Sequence, residues 1–360
     1  MKISRHIRKA ILNIPTYRPS TPPLGVQVLA KLNSNESPLA SSQAVIRSIT
    51  EAAPIVNRYP IASQELRRKI ADYVSLKPEN VLIGNGSDEL IDAVVKTFVN
   101  PGGNVIVSIP TFEMYEFYTK LAGGQVGFVR MKRDFSYNVK AILKAISKRT
   151  KLVFICSPNN PTGSVISEED VLTIAEKDVI VVVDEAYVEF ARKSFVPLLK
   201  KQNNLVFLRT FSKAFGLAGL RIGYALADAD VMGYMQRVSP PFPVNILALR
   251  AAEVAIEDRE RLKQVKELVS TGRQYLYSEL SEIEGVNVYP SEANFLLVNV
   301  AKTGFTSTEL VGRLVQRGVI VRDCIRFRGL GQKYIRVTVG TREENELFIQ
   351  ALKNVLAGGR

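Results

Sequence analysis

The 360-residue sequence predicts an α/β protein: a large domain around a mostly parallel central sheet, with a smaller α+β domain after it. Its most β-rich run, VIVVV at 179–183, is apolar throughout, as in strands covered on both faces of a parallel sheet. Comparable runs at 81–83, 104–108, 151–156 and 204–208 alternate with helical segments, which requires right-handed crossovers between parallel neighbours. Hydrophobic residues make up 46% of the chain, enough for a sizeable core and two unequal domains.

Composition excludes several function classes. The formal net charge is +13, yet basic residues are spread along the chain with acidic ones between them. There is no basic run interleaved with aromatics, no zinc-finger spacing and no RRM-type or KH-type signature. Nucleic acid is therefore not the expected partner, and the charge suits solubility and anionic small molecules. Cys156 and Cys324 are too few for a disulfide framework or a metal cluster and fit a reducing compartment. His6 is the only histidine, so a Ser-His-Asp triad or a histidine-ligated zinc would have to draw on the terminus, and no metal is expected. The basic start lacks a sustained apolar stretch, and no run of about 18 apolar residues follows, so a soluble, cytoplasmic protein without membrane contact is expected.

Taken in order, the chain opens on Tyr17 within PTYRPSTPP, where the prolines imply an extended arm that either crosses another surface or is a plain tail. A short strand from Lys31 then enters a polar turn at Asn33, Asn35 and Glu36. Tyr59 precedes an amphipathic helix over 64–74. The strand at 81–83 leads into Gly84-Asn85-Gly86-Ser87-Asp88 and a helix over 91–98. Strand, glycine turn and helix together form a place where free amides and the helix dipole hold a phosphate, although Ser and Asp also serve as plain N-caps. Phe112, just past the strand at 104–108, lies either on a planar ring or in the core. After the strand at 151–156, two prolines and a glycine stiffen SPNNPTG and fix the orientation of the Asn159 and Asn160 amides. Asp184 ends the strand at 179–183; a buried carboxylate there needs a cation, and a ligand is the better source than a metal.

The strand at 204–208 reaches Thr210, Ser212 and Lys213, with Arg221 eight residues beyond the lysine. Ligands of α/β sheets bind at strand carboxyl ends. A lysine there, partly buried near a second cation, loses its proton more readily and can join an aldehyde covalently; the alternative is a solvated loop lysine. Pro240, Pro241 and Pro243 mark a break, placing the domains at 33–246 and 247–360, with 1–32 as an N-terminal arm and part of the small domain. Strands at 286–289, 295–300, 319–322 and 334–339 complete the small domain. Arg336 on the last of them either projects into a cleft or faces solvent.

KLNSNESP, GNGSDE, SPNNPTG, VVDEAY, TFSKAFGLAGLRIG, EANFLLV and YIRVTVGTREEN occur in this order across nearly the whole chain. Together they resemble the fold-type I, pyridoxal-phosphate-dependent aminotransferases of the class-II group, and among them the histidinol-phosphate aminotransferases. The resemblance implies a PLP-transferase fold in which Lys213 carries the cofactor and shuttles a proton. Asp184 would pair with the ring nitrogen, Asn160 and Tyr187 with the ring's phenolic oxygen, and Phe112 would stack on the ring where many relatives have tyrosine. Gly86, Ser87, Asp88, Thr210, Ser212 and Arg221 would hold the phosphate, joined by Tyr59 from a neighbouring subunit, so that a homodimer shares its active sites. Arg336 would grip the anionic ends of an amino donor and a 2-oxo acid, with Arg326, Tyr17 and Asn35 as further substrate residues. The rivals are a class-II aminotransferase acting on aromatic or other amino acids, a decarboxylase of O-phosphothreonine, and a regulatory protein retaining an inactive enzyme fold.

Overall fold

A computed structural model of the chain describes residues 3–12, 14, 25–60 and 63–358. A short first strand, β1 (Ala30–Leu32), precedes seven strands of a larger sheet: β2 (Val81–Gly84), β3 (Asn104–Ile109), β4 (Gln125–Arg130), β5 (Thr150–Cys156), β6 (Ile180–Asp184), β7 (Leu205–Thr210) and β8 (Gly223–Ala227). Their spatial order is β2-β8-β7-β6-β5-β3-β4. Pairing is parallel from β7 across to β4, and β8 alone runs antiparallel to both its neighbours. The sheet is mostly parallel, as the sequence implied.

Apolar residues line both faces of the central strands. Val153, Ile155, Val181, Val183, Leu205 and Phe207 face one core, while Phe154, Val182, Val206 and Leu208 face the other. The first core is closed by helices Gln43–Ala52, Gln64–Val74, Glu168–Ala175 and Ile246–Ala255. The second is closed by Gly86–Phe98, Met114–Leu121 and Ala229–Arg237. Burial on both sides explains why these strands read as unbroken apolar runs.

The smaller sheet has the order β1-β11-β12-β10-β9, with β9 (Asn287–Val288), β10 (Phe295–Asn299), β11 (Val319–Asp323) and β12 (Tyr334–Thr338). β1 adds to its edge, parallel to β11. Helices Arg259–Ser281, Ser307–Val315 and Arg342–Ala357 cover it through Val269, Leu310 and Phe348. The last two begin with reciprocal capping boxes, Thr306 with Glu309 and Thr341 with Glu344.

Two expectations shift. The proline break at 240–243 suggested a boundary at 246/247, but helix Ile246–Ala255 packs Ala248, Ala251 and Ala252 into the larger core, so the two cores separate only after this helix. The helix expected from Ile91 begins at Gly86, which places its free first-turn amides directly after β2.

Candidate active site

The carboxyl ends of β5, β6 and β7 open into a cavity of about 300 Å³, whose wall includes Lys213, Asp184, Asn160, Thr210 and Ser212. Phe112, Tyr187, Ser87, Asp88, Arg221, Asn35 and Arg336 also line it. The smaller sheet supplies Arg336 from β12, so the cavity lies between the two layers.

Lys213 Nζ donates to the Ser34 carbonyl at 2.9 Å. Burial first, then repulsion from Arg336 and Arg221, brings its amine down to about 8. Asp184 is buried, and its two oxygens accept from the Ala186 N–H at 3.0 Å and the Tyr115 hydroxyl at 2.6 Å. Burial raises its carboxyl to about 6, against the lowering effect of those two donors. No lysine or arginine is ion-paired with it among the described residues.

Gly86 and Gly223 lie back to back. Gly86 has φ of +80°, and a Cβ there would sit 2.6 Å from Arg221 Nη2. A Cβ on Gly223 would sit 2.8 Å from the Ser87 amide nitrogen. Only glycine at both positions lets the helix start and Arg221 close on one small volume. Arg221 itself holds a left-handed backbone, φ +53°, with Nη2 3.3 Å from Asp88 Oδ2. Such strain in a non-glycine residue is tolerated where surrounding structure fixes it.

Arg336 is buried and doubly held, donating to Asn160 Oδ1 at 2.5 Å and to the Asn33 carbonyl at 2.7 Å. The Asn160 amide is thereby turned so that its N–H₂ end is left for the cavity. Asn159, given no role of its own in the sequence, locks this loop: it accepts from Thr111 at 2.6 Å and donates to Thr162 at 2.8 Å and to the Pro110 carbonyl at 2.9 Å. Asn35 donates to the Tyr187 hydroxyl at 3.0 Å and accepts from Thr338 at 3.1 Å, so its amide orients Tyr187.

Two expected residues lie outside this cavity of the single chain, Tyr59 having been expected at a neighbouring subunit's site. Tyr59 is 77% exposed and stacks on Phe242 with ring centroids 4.7 Å apart, away from this cavity. Arg326 lies on the turn after β11 and lines a neighbouring cavity of about 680 Å³. Tyr17 falls outside the described residues. A further arginine in the first cavity is Arg322, directly opposite Arg336 on adjacent antiparallel strands. The alternation in 319–322 carried a signal for it, but its partner strand had to be known.

A family model for "Aminotransferase class I and II" matches residues 28–352. The chain belongs to the class I and II aminotransferases. This aminotransferase is 40% identical to the histidinol-phosphate aminotransferase of Methanosphaera stadtmanae over 91% of the chain and 90% of that protein. It is also 40% identical to that of Methanosarcina mazei over 98% of both. Among solved structures, the Sinorhizobium meliloti histidinol-phosphate aminotransferase in complex with pyridoxal-5'-phosphate matches with TM-score 0.84 and 27% identity, covering 93% of this chain and 92% of that one.

The fold is therefore the fold-type I one, and the cofactor is pyridoxal 5'-phosphate. The residues present fit it: a cup that two glycines keep open, a lysine amine brought down to about 8, and a buried carboxylate with lone pairs to spare. No helix among the described residues is long and apolar enough to cross a membrane. No group of three or more metal-ligating side chains is found among them either.

Proposed function

We propose that this aminotransferase moves an amino group between L-histidinol phosphate and 2-oxoglutarate, yielding imidazole acetol phosphate and glutamate, in histidine biosynthesis. The observation that carries the substrate is the near full-length identity to proteins of that activity, and the facing pair Arg322 and Arg336 supports it. A phosphate ester and a carboxylate must occupy the same end of the site in alternate half-reactions, and guanidinium forks accept either anion.

Lys213 holds the cofactor; when bound, pyridoxal phosphate supplies an electron sink for charge developing at the substrate Cα. Displaced by the incoming amino donor, Lys213 Nζ would carry the proton from the substrate Cα to C4′ of the cofactor, and in the reverse direction in the second half-reaction. Asp184 would face the ring nitrogen, Asn160 and Tyr187 would donate to the phenolic oxygen, and Phe112 would cover the ring face. The amides of Gly86, Ser87 and Asp88, with Thr210, Ser212 and Arg221, receive the phosphate. Arg336 positions the substrate, and Asn35 acts through Tyr187. Residues 33–256 form the cofactor domain in this reading, and β1 belongs with the small domain. The protein works as a cytoplasmic homodimer; the exposed Tyr59 and Phe242 stack, with Ile55 and Val56 exposed nearby in the chain, suits a surface covered by a second copy, whose cofactor phosphate Tyr59 would reach.

The test offers purified protein a panel of amino donors with 2-oxoglutarate. Glutamate must form fastest from histidinol phosphate. Preference for an aromatic amino acid, or CO₂ release from O-phosphothreonine, would move the assignment to a sister activity.

A further inference from the structure

Behind Asp184, outside the cavity wall, lies a group to which the proposed function gives no role. Tyr115, on helix Met114–Leu121, is fully buried, and its hydroxyl donates to Asp184 Oδ2 at 2.6 Å. Its ring is fixed on both sides. It stacks on Phe154 of β5 with centroids 4.6 Å apart and planes 10° from parallel, and it meets Phe112 edge-on at 5.7 Å. A tyrosine used only for packing would leave its hydroxyl on any nearby acceptor; this one is aimed at the single buried carboxylate that faces the cofactor's place.

We propose that Tyr115 is a positioning residue: its hydroxyl holds one oxygen of Asp184 so that the carboxylate stays charged and directed at the cofactor's ring nitrogen. The inference rests on the cofactor assignment and extends it to a residue outside the cavity wall. Its chemistry follows from what surrounds Asp184. Asp88, Glu185, Cys156, Tyr137 and Tyr187 are the other titratable groups near it; none is a cation, and the first two disfavour its charge. The two donors are the largest effects that offset burial. The Ala186 amide is backbone and remains in every variant. The Tyr115 hydroxyl is therefore the removable half of the support. Because the same ring touches Phe112, the residue expected over the cofactor face, acid and stacking partner share one anchor.

Tyr115→Phe keeps both ring contacts and deletes the donor alone. A hydrogen bond to a charged group is worth about tenfold or more in an equilibrium constant. The apoprotein of this variant is therefore expected to bind pyridoxal phosphate about tenfold more weakly by fluorescence titration. The pH midpoint of the bound cofactor's colour change should also rise, because a less charged Asp184 leaves the ring nitrogen less protonated. Two controls separate this from packing. With a cofactor analogue carrying carbon in place of the ring nitrogen, Tyr115→Phe should make no difference to affinity. Added to Asp184→Asn, it should cost less than about threefold, as coupled sites behave. Equal losses with cofactor and analogue, full additivity with Asp184→Asn, or an unchanged affinity and midpoint would each overturn the proposal. If the unsubstituted protein took up no pyridoxal phosphate at all, the aminotransferase reading would fall with it.

Discussion

Burial first, then the neighbouring Arg336 and Arg221, bring the Lys213 amine down to about 8. An amine attacks an aldehyde only when unprotonated, so apoprotein should capture pyridoxal phosphate faster as pH rises from about 7 to about 9 and then level off. A midpoint near the ordinary lysine value of 10.5 would contradict this. Lys213→Ala is expected to leave purified protein colourless. Asp184 titrates in the opposite sense: its carboxyl, raised to about 6, becomes neutral on acidification, so cofactor retention in dialysis should weaken below that pH. Arg336→Ala removes bonds from a charged donor and should raise KM for donor and 2-oxo acid alike by on the order of 10- to 100-fold. Much of this scale was legible in the chain, because Lys213, Asp184 and Asn160 each follow an apolar strand that announces them. Arg322, Asn159 and Tyr115 were not. Strand register sets Arg322 opposite Arg336, while side-chain bonds tie Asn159 to Thr111 and Tyr115 to Asp184, each partner distant in sequence.

The glycine turn after β2 depends on two elements meeting without side chains between them. Gly86→Ala would put a Cβ against Arg221 and strain a left-handed backbone, so cofactor affinity should fall while the melting temperature drops only modestly. Titration beside a thermal melt separates the two. Under the lysine loop, Glu185 accepts from Arg209 at 2.8 and 2.9 Å, from the Phe195 N–H at 2.6 Å and from Ser194. Both charges are buried, and Glu185→Ala strands the guanidinium; urea denaturation should show a loss of about 3–5 kcal/mol. At this scale β4 and β8 escaped the sequence reading. Gln125–Arg130 carries Gly127 and exposed ends, and Gly223–Ala227 follows directly on the motif around Lys213, so neither has the bounded apolar run of the central strands.

For the molecule as a whole, sequence order predicted the mostly parallel sheet because strand and helix alternate from β2 to β7, but nothing in that alternation shows where the two cores separate. Tyr187 and Ala214 belong to the smaller core although they lie in the chain of the larger one, and they join the layers beside the cavity. If active sites are shared between copies, inactive Lys213→Ala and Tyr59→Ala proteins mixed and reassembled should recover up to about a quarter of the parental activity, as symmetric hybrids allow. No recovery, together with a monomer's mass in solution, would refute sharing. The smaller sheet bears on synthesis as well. Ala30 lies opposite Val319, so a strand made among the first waits for one made near the last. On the ribosome, the larger sheet can assemble from contiguous chain while its cleft still lacks Arg322 and Arg336, because closure over so long a separation comes late. The nascent enzyme therefore presents its lysine before it has either the second arginine that helps lower that amine or the pair that faces a substrate.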